Sequence, residues 1–268
     1  MSLRLCRTEQ VKHPYYIKFL GLHLYSSQEL SYVIYHYPLL VIDRLVDDRL
    51  LDFLREDLNM GFLALKLDNW RKSGEDPDEM LIFILQESDY YSQAEIAEYR
   101  QTLASLRKQP VAEMQKQRAD AYFSMRQYGK AVKMYQEILE DDHAGEDAFT
   151  ALVWNNLGAC YGRMFLFDKA AEAFEKAYNR SGSRTCLRSL YWISKMDERL
   201  PLGGRLSSLI TEQEQTKWDE QLKKAREDAA QSGAVKQLEN WFVDGAESRM
   251  KEAEKLVEQW KSEYRAMV

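Results

Sequence analysis

Apolar residues recur at spacings of three and four along most of this chain, which is the pattern of amphipathic helices. The clearest example runs from Ala151 to Tyr178, where two such patterns are joined by a tight turn. Its apolar and small positions are Trp154, Leu157, Gly158 and Tyr161 on the first helix, then Ala170, Phe174 and Ala177 on the second. Because neither helix can bury its apolar stripe alone, the pattern predicts a helical hairpin stacked between neighbours.

Weaker copies of this hairpin are predicted on both sides of it. One helix pair begins at Ala112, and a degenerate pair begins at Asp78, about 34 residues earlier. A further first helix begins near Thr185, again about 34 residues after Ala151. The pair at Ala112 departs from the pattern in its first helix, where Arg118 replaces a leucine. An acidic connection around 141–149 lengthens the spacing ahead of Ala151, without interrupting the predicted stack.

Residues 1–77 are predicted to form a small helical region. The stretch Tyr15–Tyr25 is rich in aromatic and branched residues, and it fits either an extended segment or a short helix. Ser26 begins a capping-box sequence and therefore predicts a helix start, while Pro38 predicts a break. A further helix is expected from Asp47, where acidic residues in the first turn complement the helix dipole.

Two long helices are expected in residues 201–268. The first is polar and runs from Ser207, the candidate N-cap, to about Gln231. The second runs from Ala234 to about Met267 and carries an apolar stripe that must pack on another surface. Two interpretations remain open: a hairpin that caps the repeats, or a coiled coil that joins two copies of the chain.

The composition of the chain argues against several classes of protein. A net charge of −6 argues against nucleic-acid binding, which generally needs a basic surface. No apolar run of membrane-spanning length is present, and the N-terminal sequence lacks the apolar core of a signal peptide. Three widely spaced cysteines fit a reducing compartment better than a disulfide framework. A cytoplasmic protein without membrane contact is therefore expected.

The motifs W-x2-L-G-x2-Y and A-x3-F-x2-A at 151–178 resemble the tetratricopeptide-repeat family, and the likeness extends more weakly over residues 78–200. The resemblance implies an all-α fold: a short superhelix of stacked antiparallel helix pairs, preceded by the helical region 1–77 and followed by the long helices of 201–268. It also implies that a peptide, or a helix of a partner protein, binds along the concave face made by the first helices.

The positions expected on that concave face follow from the register of the resemblance. They are Lys116, Gln117, Asp120 and Phe123 in one repeat, Asn155, Asn156, Ala159 and Arg163 in the next, and Ser189, Leu190, Ile193 and Asp197 in the third. Amides can hydrogen-bond an extended peptide, lysine and arginine can pair with a carboxylate, and Phe123 and Ile193 offer apolar contact. The family's carboxylate clamp is reproduced only in part. The competing interpretation is that these polar residues are simply solvated.

The sequence offers no pattern for catalysis or for a cofactor. Its four histidines lack the spacing of a metal site, and His143 lies in an acidic connection that fits a solvated loop. Neither a phosphate-binding glycine loop nor a nucleophile elbow is present. We therefore expect a non-catalytic scaffold with no cofactor and no metal. The alternative is a ligand- or peptide-responsive regulator in which the helical region 1–77 is the effector.

Overall fold

The computed structural model describes residues 11–140, 147–243 and 246–267. Within these ranges the chain is almost entirely helical, with only two short strands, so the predicted all-α class is confirmed. The chain separates into two compact units, residues 1–114 and residues 115–268. The predicted division at residues 77 and 200 has different boundaries and stays a prediction.

The first unit opens with a hairpin and continues as short helices. Strands β1 (Tyr15–Ile17) and β2 (Leu22–Leu24) pair antiparallel, so this stretch is extended. The helices that follow are α1 (Ser27–His36), α2 (Pro38–Val41), α3 (Asp48–Asp52), α4 (Gly61–Ser73), α5 (Asp78–Glu87) and α6 (Gln93–Arg107). A π-helical turn, Phe53–Asp57, directly continues α3.

The predicted start signals act as helix caps. The Ser26 hydroxyl oxygen accepts a hydrogen bond from the Glu29 amide at 3.2 Å, and the Asp47 carboxylate accepts one from the Leu50 amide at 2.8 Å. Such caps satisfy backbone N–H groups that have no partner inside the helix. The predicted break at Pro38 is also confirmed, because α2 begins at that residue.

The second unit continues the series of helical hairpins. Its helices are α7 (Val111–Ser124), α8 (Tyr128–Glu140), α9 (Asp147–Arg163), α10 (Phe167–Ser181), α11 (Arg184–Met196), α12 (Gly204–Ser207), α13 (Glu212–Ala230), α14 (Gly233–Val243) and α15 (Ala246–Met267). Helix α9 packs between α8 and α10, and α10 packs against α11. This is the predicted fold of tetratricopeptide type. Most of the acidic connection before α9 lies outside the described residues.

The polar helix of the C-terminal region starts later than predicted. Ser207 is the last residue of α12, whereas Thr211 is the N-cap of α13. Thr211 caps the helix because it forms a complete capping box with Glu214, in which each side chain bonds the other residue's backbone N–H. The predicted final helix is seen as α14 and α15, and residues 244–245 between them lie outside the described residues.

Glu214 also ties α13 to α11, and this contact makes the fold sensitive to acid. The Arg184 guanidinium donates to its carboxylate, with Nε 2.8 Å from Oε1. These bonds, and those from Thr211, lower the pKa of Glu214 from 4.5 to about 2. Because the folded pKa lies below the unfolded one, the stabilisation is complete above pH 4.5 and is lost as pH falls towards 2.

We therefore expect Glu214→Gln to weaken the pH dependence of stability in this window. Glutamine retains the capping bonds but not the charge that pairs with Arg184. The measurement is the denaturant midpoint of wild type and variant, near neutral pH and at acid pH. Glu212→Gln, an exposed change in the same helix turn, is the matched control. Parallel acid profiles for wild type and Glu214→Gln would contradict the assignment.

Candidate binding face of the second unit

A chain of hydrogen bonds runs across α7, α9 and α11, and we call this surface the first-helix face. At its centre the Asp120 carboxylate accepts from Lys116 Nζ at 2.7 Å and from Asn156 Nδ2 at 2.9 Å. Asn155 Nδ2 donates to Asn156 Oδ1 at 3.3 Å, and Cys186 Sγ lies 3.3 Å from Asn155 Oδ1. The three helices are therefore linked side by side by polar contacts.

A tyrosine from α8 completes the coordination of Asp120. The Tyr135 hydroxyl donates to Asp120 Oδ1 at 2.5 Å, while the residue itself is only 1% exposed. Burial, followed by the hydrogen bond to Asp120, raises the pKa of Tyr135 far above its usual range, so the hydroxyl keeps its proton. Burial and the nearby Asp120 charge also raise the pKa of Cys160 to about 12. That thiol is therefore neutral and unreactive at physiological pH.

Beside this network lies a small cavity of about 180 Å³, which we call the Asp120 pocket. Its lining residues are Asp120, Phe123, Ser124, Tyr135, Asn156 and Ala159. The Phe123 ring forms one wall and meets the Tyr128 ring edge-on, with centroids 5.4 Å apart. An apolar interior with polar groups at its margin suits one apolar side chain whose backbone remains outside.

The structure brings together most of the residues predicted for this face. Lys116, Asp120, Asn155 and Asn156 share one hydrogen-bond network, while Phe123 and Ala159 line the pocket beside it. Three other predicted polar positions are the half-buried Gln117, the exposed Arg163 and the half-buried Ser189, whose hydroxyl donates to the Thr185 carbonyl at 3.1 Å. Asp120, Asn155 and Asn156 are thus held in place by bonds between helices.

A tetratricopeptide-repeat family model matches residues 110–181 of the chain. Residues 110–181 form a tetratricopeptide-repeat segment. The match covers α7 to α10 and therefore includes the whole Asp120 pocket. It suggests a protein–protein interaction scaffold, since repeats of this kind generally are non-catalytic scaffolds. Comparisons with curated proteins and with solved structures found no match.

Two apolar residues predicted for the face are buried instead, in α11, the helix that follows the tetratricopeptide-repeat segment. Ile193 and Leu190 are only 4% and 5% exposed, and both line a different cavity of about 430 Å³. Residues 199–206 form much of that cavity's lining. Asp197 pairs with Arg199 at 2.6 Å, directly before this stretch. The open placement predicted for Ile193 was therefore wrong, because the chain after α11 folds back over it.

Trp154 is less deeply packed in the repeat segment than its motif predicts. Leu157 is 2% and Tyr161 8% exposed, which confirms them as core, but Trp154 is only half-buried. Its ring faces the Lys176 ammonium, which lies 4.4 Å from the ring centroid, and lines a cavity of about 340 Å³. The Lys176 ammonium thus makes a cation–π contact with the Trp154 ring, where the motif predicts a neighbouring apolar side chain.

Two residues of the polar network were missed by sequence reasoning. The repeat pattern does not distinguish Tyr135 from an ordinary packing residue, and its ring is buried, but its hydroxyl donates to Asp120. Cys186 was considered only as one of three widely spaced cysteines, although it contacts Asn155. The signal in the sequence was the hydroxyl of Tyr135, because a position that only packs needs no hydroxyl. A buried hydroxyl generally requires a hydrogen-bond partner.

Other chemistry was sought in the parts of the chain that the structure describes. There, no group of three or more His, Cys, Asp or Glu side chains is placed to hold a metal ion. Cys160 and Cys186 are buried free thiols. No described helix is both long and apolar enough to cross a membrane.

Proposed function

We propose that this chain is a non-catalytic interaction scaffold that binds a peptide, or a helix of a partner protein, on the first-helix face. The observation that carries the proposal is the Asp120 pocket, an apolar cavity bordered by a fixed polar network. The tetratricopeptide-repeat segment supports it, because the resemblance implies that the first helices form the concave, ligand-binding side. The partner is then a protein or peptide, rather than a nucleic acid or a membrane, and the proposed location is the cytoplasm.

The proposed binding mode uses the pocket and the network together. An apolar side chain of the ligand enters the Asp120 pocket and displaces water from its walls. Lys116 and Asn155 retain hydrogen-bonding capacity for the ligand backbone, because an ammonium has three donors and an amide has two donors and an acceptor. Gln117, Arg163 and Ser189 would extend these polar contacts along the face.

The proposal also accounts for the way the polar groups are held. Binding costs free energy for every side chain that must be ordered on the complex. Asp120 and Asn156 are already fixed by contacts between helices, so a ligand need not immobilise them. Affinity is then expected from pocket occupancy and preorganisation rather than from a large contact area.

A displayed library of random peptides, selected against the purified full chain, tests the proposal. We expect enriched peptides to share an apolar residue, and the leading synthetic peptide to bind in isothermal titration calorimetry. Ala159→Phe fills the pocket and should weaken that binding by at least roughly tenfold, since a lost anchor commonly costs over ~1 kcal/mol. Lys116→Ala combined with Asn155→Ala should also weaken it.

Lys169→Ala combined with Asn179→Ala is the matched control, because it removes the same residue types from α10, outside the first-helix face. Binding should survive this control pair, and circular dichroism should show folded protein for every variant. If the selected peptide binds Ala159→Phe and the wild type equally well, the pocket is not the binding site.

A further inference from the structure

The last described helix, α15, exposes a regular apolar stripe. Met250 is 70% exposed, Val257 43%, Trp260 51% and Tyr264 50%, and Ala253 is exposed between them. These five residues follow one another at steps of three, four, three and four, which is the a/d spacing of a helix–helix seam. We call them the α15 stripe.

The described contacts of α15 with its own chain leave this stripe uncovered. Helix α15 packs against α8 and α14, and Glu252 and Leu256 are the half-buried residues among its described side chains. Leu256 borders the stripe on one edge, Glu252 lies further round the helix, and the stripe itself faces away from both. The stripe thus exposes two aromatic rings together with a valine and a methionine. Leaving this much apolar surface in water costs free energy, which contact with another apolar surface would recover.

We propose that the α15 stripe joins two copies of the chain as an antiparallel helix pair. In this register Val257 packs against the partner's Trp260, and Ala253 packs against the partner's Tyr264. Each large aromatic residue then faces a small or medium side chain, which lets the helices approach closely. By the two-fold symmetry, each of these contacts occurs twice.

The charged residues beside the stripe favour the same register. Glu254 lies against the partner's Lys261, so two symmetry-related pairs of opposite charges line one edge of the seam. Glu254 has no ion pair among the described residues, and Lys261 pairs only with Glu258, an exposed neighbour at 2.7 Å. Both side chains are therefore available at the surface to pair across the interface.

The other arrangements are less complementary. Sliding the antiparallel helices by one heptad places Glu254 against the partner's Glu254, where like charges repel. A parallel pair places Trp260 beside the partner's Trp260 and Ala253 beside the partner's Ala253, so bulky layers alternate with empty ones. Because the stripe spans only two heptads, we expect a weak dimer that forms with increasing concentration.

Sedimentation equilibrium of the full chain over a concentration series tests this proposal. Wild type should show a monomer–dimer equilibrium. Glu254→Lys alone and Lys261→Glu alone each turn both ion pairs into repulsive ones, and each should raise the dissociation constant roughly tenfold. The double variant, with both charges exchanged, should return it close to the wild-type value.

Two further variants keep the result interpretable. Lys251→Glu makes the same charge change as Lys261→Glu at an exposed position off the stripe, so it should leave the dimer unchanged. Trp260→Glu should give a folded monomer, as judged by circular dichroism. A wild type that stays monomeric at every concentration would overturn the proposal, and so would a dimer in which the charge exchange does not restore association.

Discussion

Gly158→Ala is expected to destabilise the second unit by about 1–2 kcal/mol, because the new methyl group has no room. A Cβ at this position would lie 2.9 Å from Cδ1 of Phe174 and 3.0 Å from its Cγ and Cε1. The ring is 7% exposed and belongs to α10, so it cannot move aside freely. The better helix propensity of alanine, worth up to about 1 kcal/mol, offsets only part of the clash. The measurement is the free energy of unfolding by denaturant.

Gly162→Ala provides the matched control, since it makes the same change one turn later in α9. A Cβ at this position would meet no atom within 4 Å, so only the propensity gain remains. We expect this variant to be slightly more stable than wild type, by up to about 1 kcal/mol. Equal effects of the two substitutions would show that the contact between Gly158 and Phe174 does not limit packing.

Asp120→Ala is expected to lower the free energy of unfolding by about 2 kcal/mol, because it leaves the buried Tyr135 hydroxyl without a hydrogen-bond acceptor. The same change releases Lys116 and Asn156 from their hydrogen bonds. Tyr135→Phe alone should cost less, about 1 kcal/mol, since it removes the donor and leaves Asp120 with two other partners. Both values come from denaturant unfolding of the full chain.

The combined variant separates this network from simple packing. If the Asp120–Tyr135 hydrogen bond carries the effect, Tyr135→Phe in the Asp120→Ala background should cost nothing or restore stability, because no hydroxyl is then left unpaired. Strictly additive losses would contradict the contact. Ser189→Ala is a suitable control on α11, since it removes a hydroxyl bonded within its own helix.

The parts of the first-helix face that were predictable from sequence depend on local periodicity. Lys116 and Asp120 are four residues apart on one helix, and Asn156 occupies the offset of Gln117 one repeat later, so register places all of them on the same face. The position of Ile193 depends instead on residues 199–206, whose return over α11 has no periodic signal. Long-range packing of an irregular segment is not encoded in spacing.

The same distinction between local and long-range signals explains which helix starts and exposures were predicted correctly. Helix starts at Ser26 and Asp47 follow from side-chain caps that act within three residues. Ser207 and Thr211 are both chemically able to cap, and the choice depends on Glu214 completing a box with Thr211. Trp154 follows its motif in position, but its exposure depends on Lys176 in another helix.

The hydrogen bonds to Asp120 affect how the array of helix pairs unfolds. Its partners belong to α7, α8 and α9, so the carboxylate connects one helix pair to the next. In a linear array of repeats, cooperativity of unfolding is set by the coupling between neighbours. Separating the pairs would leave a charged group short of donors, which makes a half-unfolded array costly. The two pairs should therefore exchange their amide protons as a single unit.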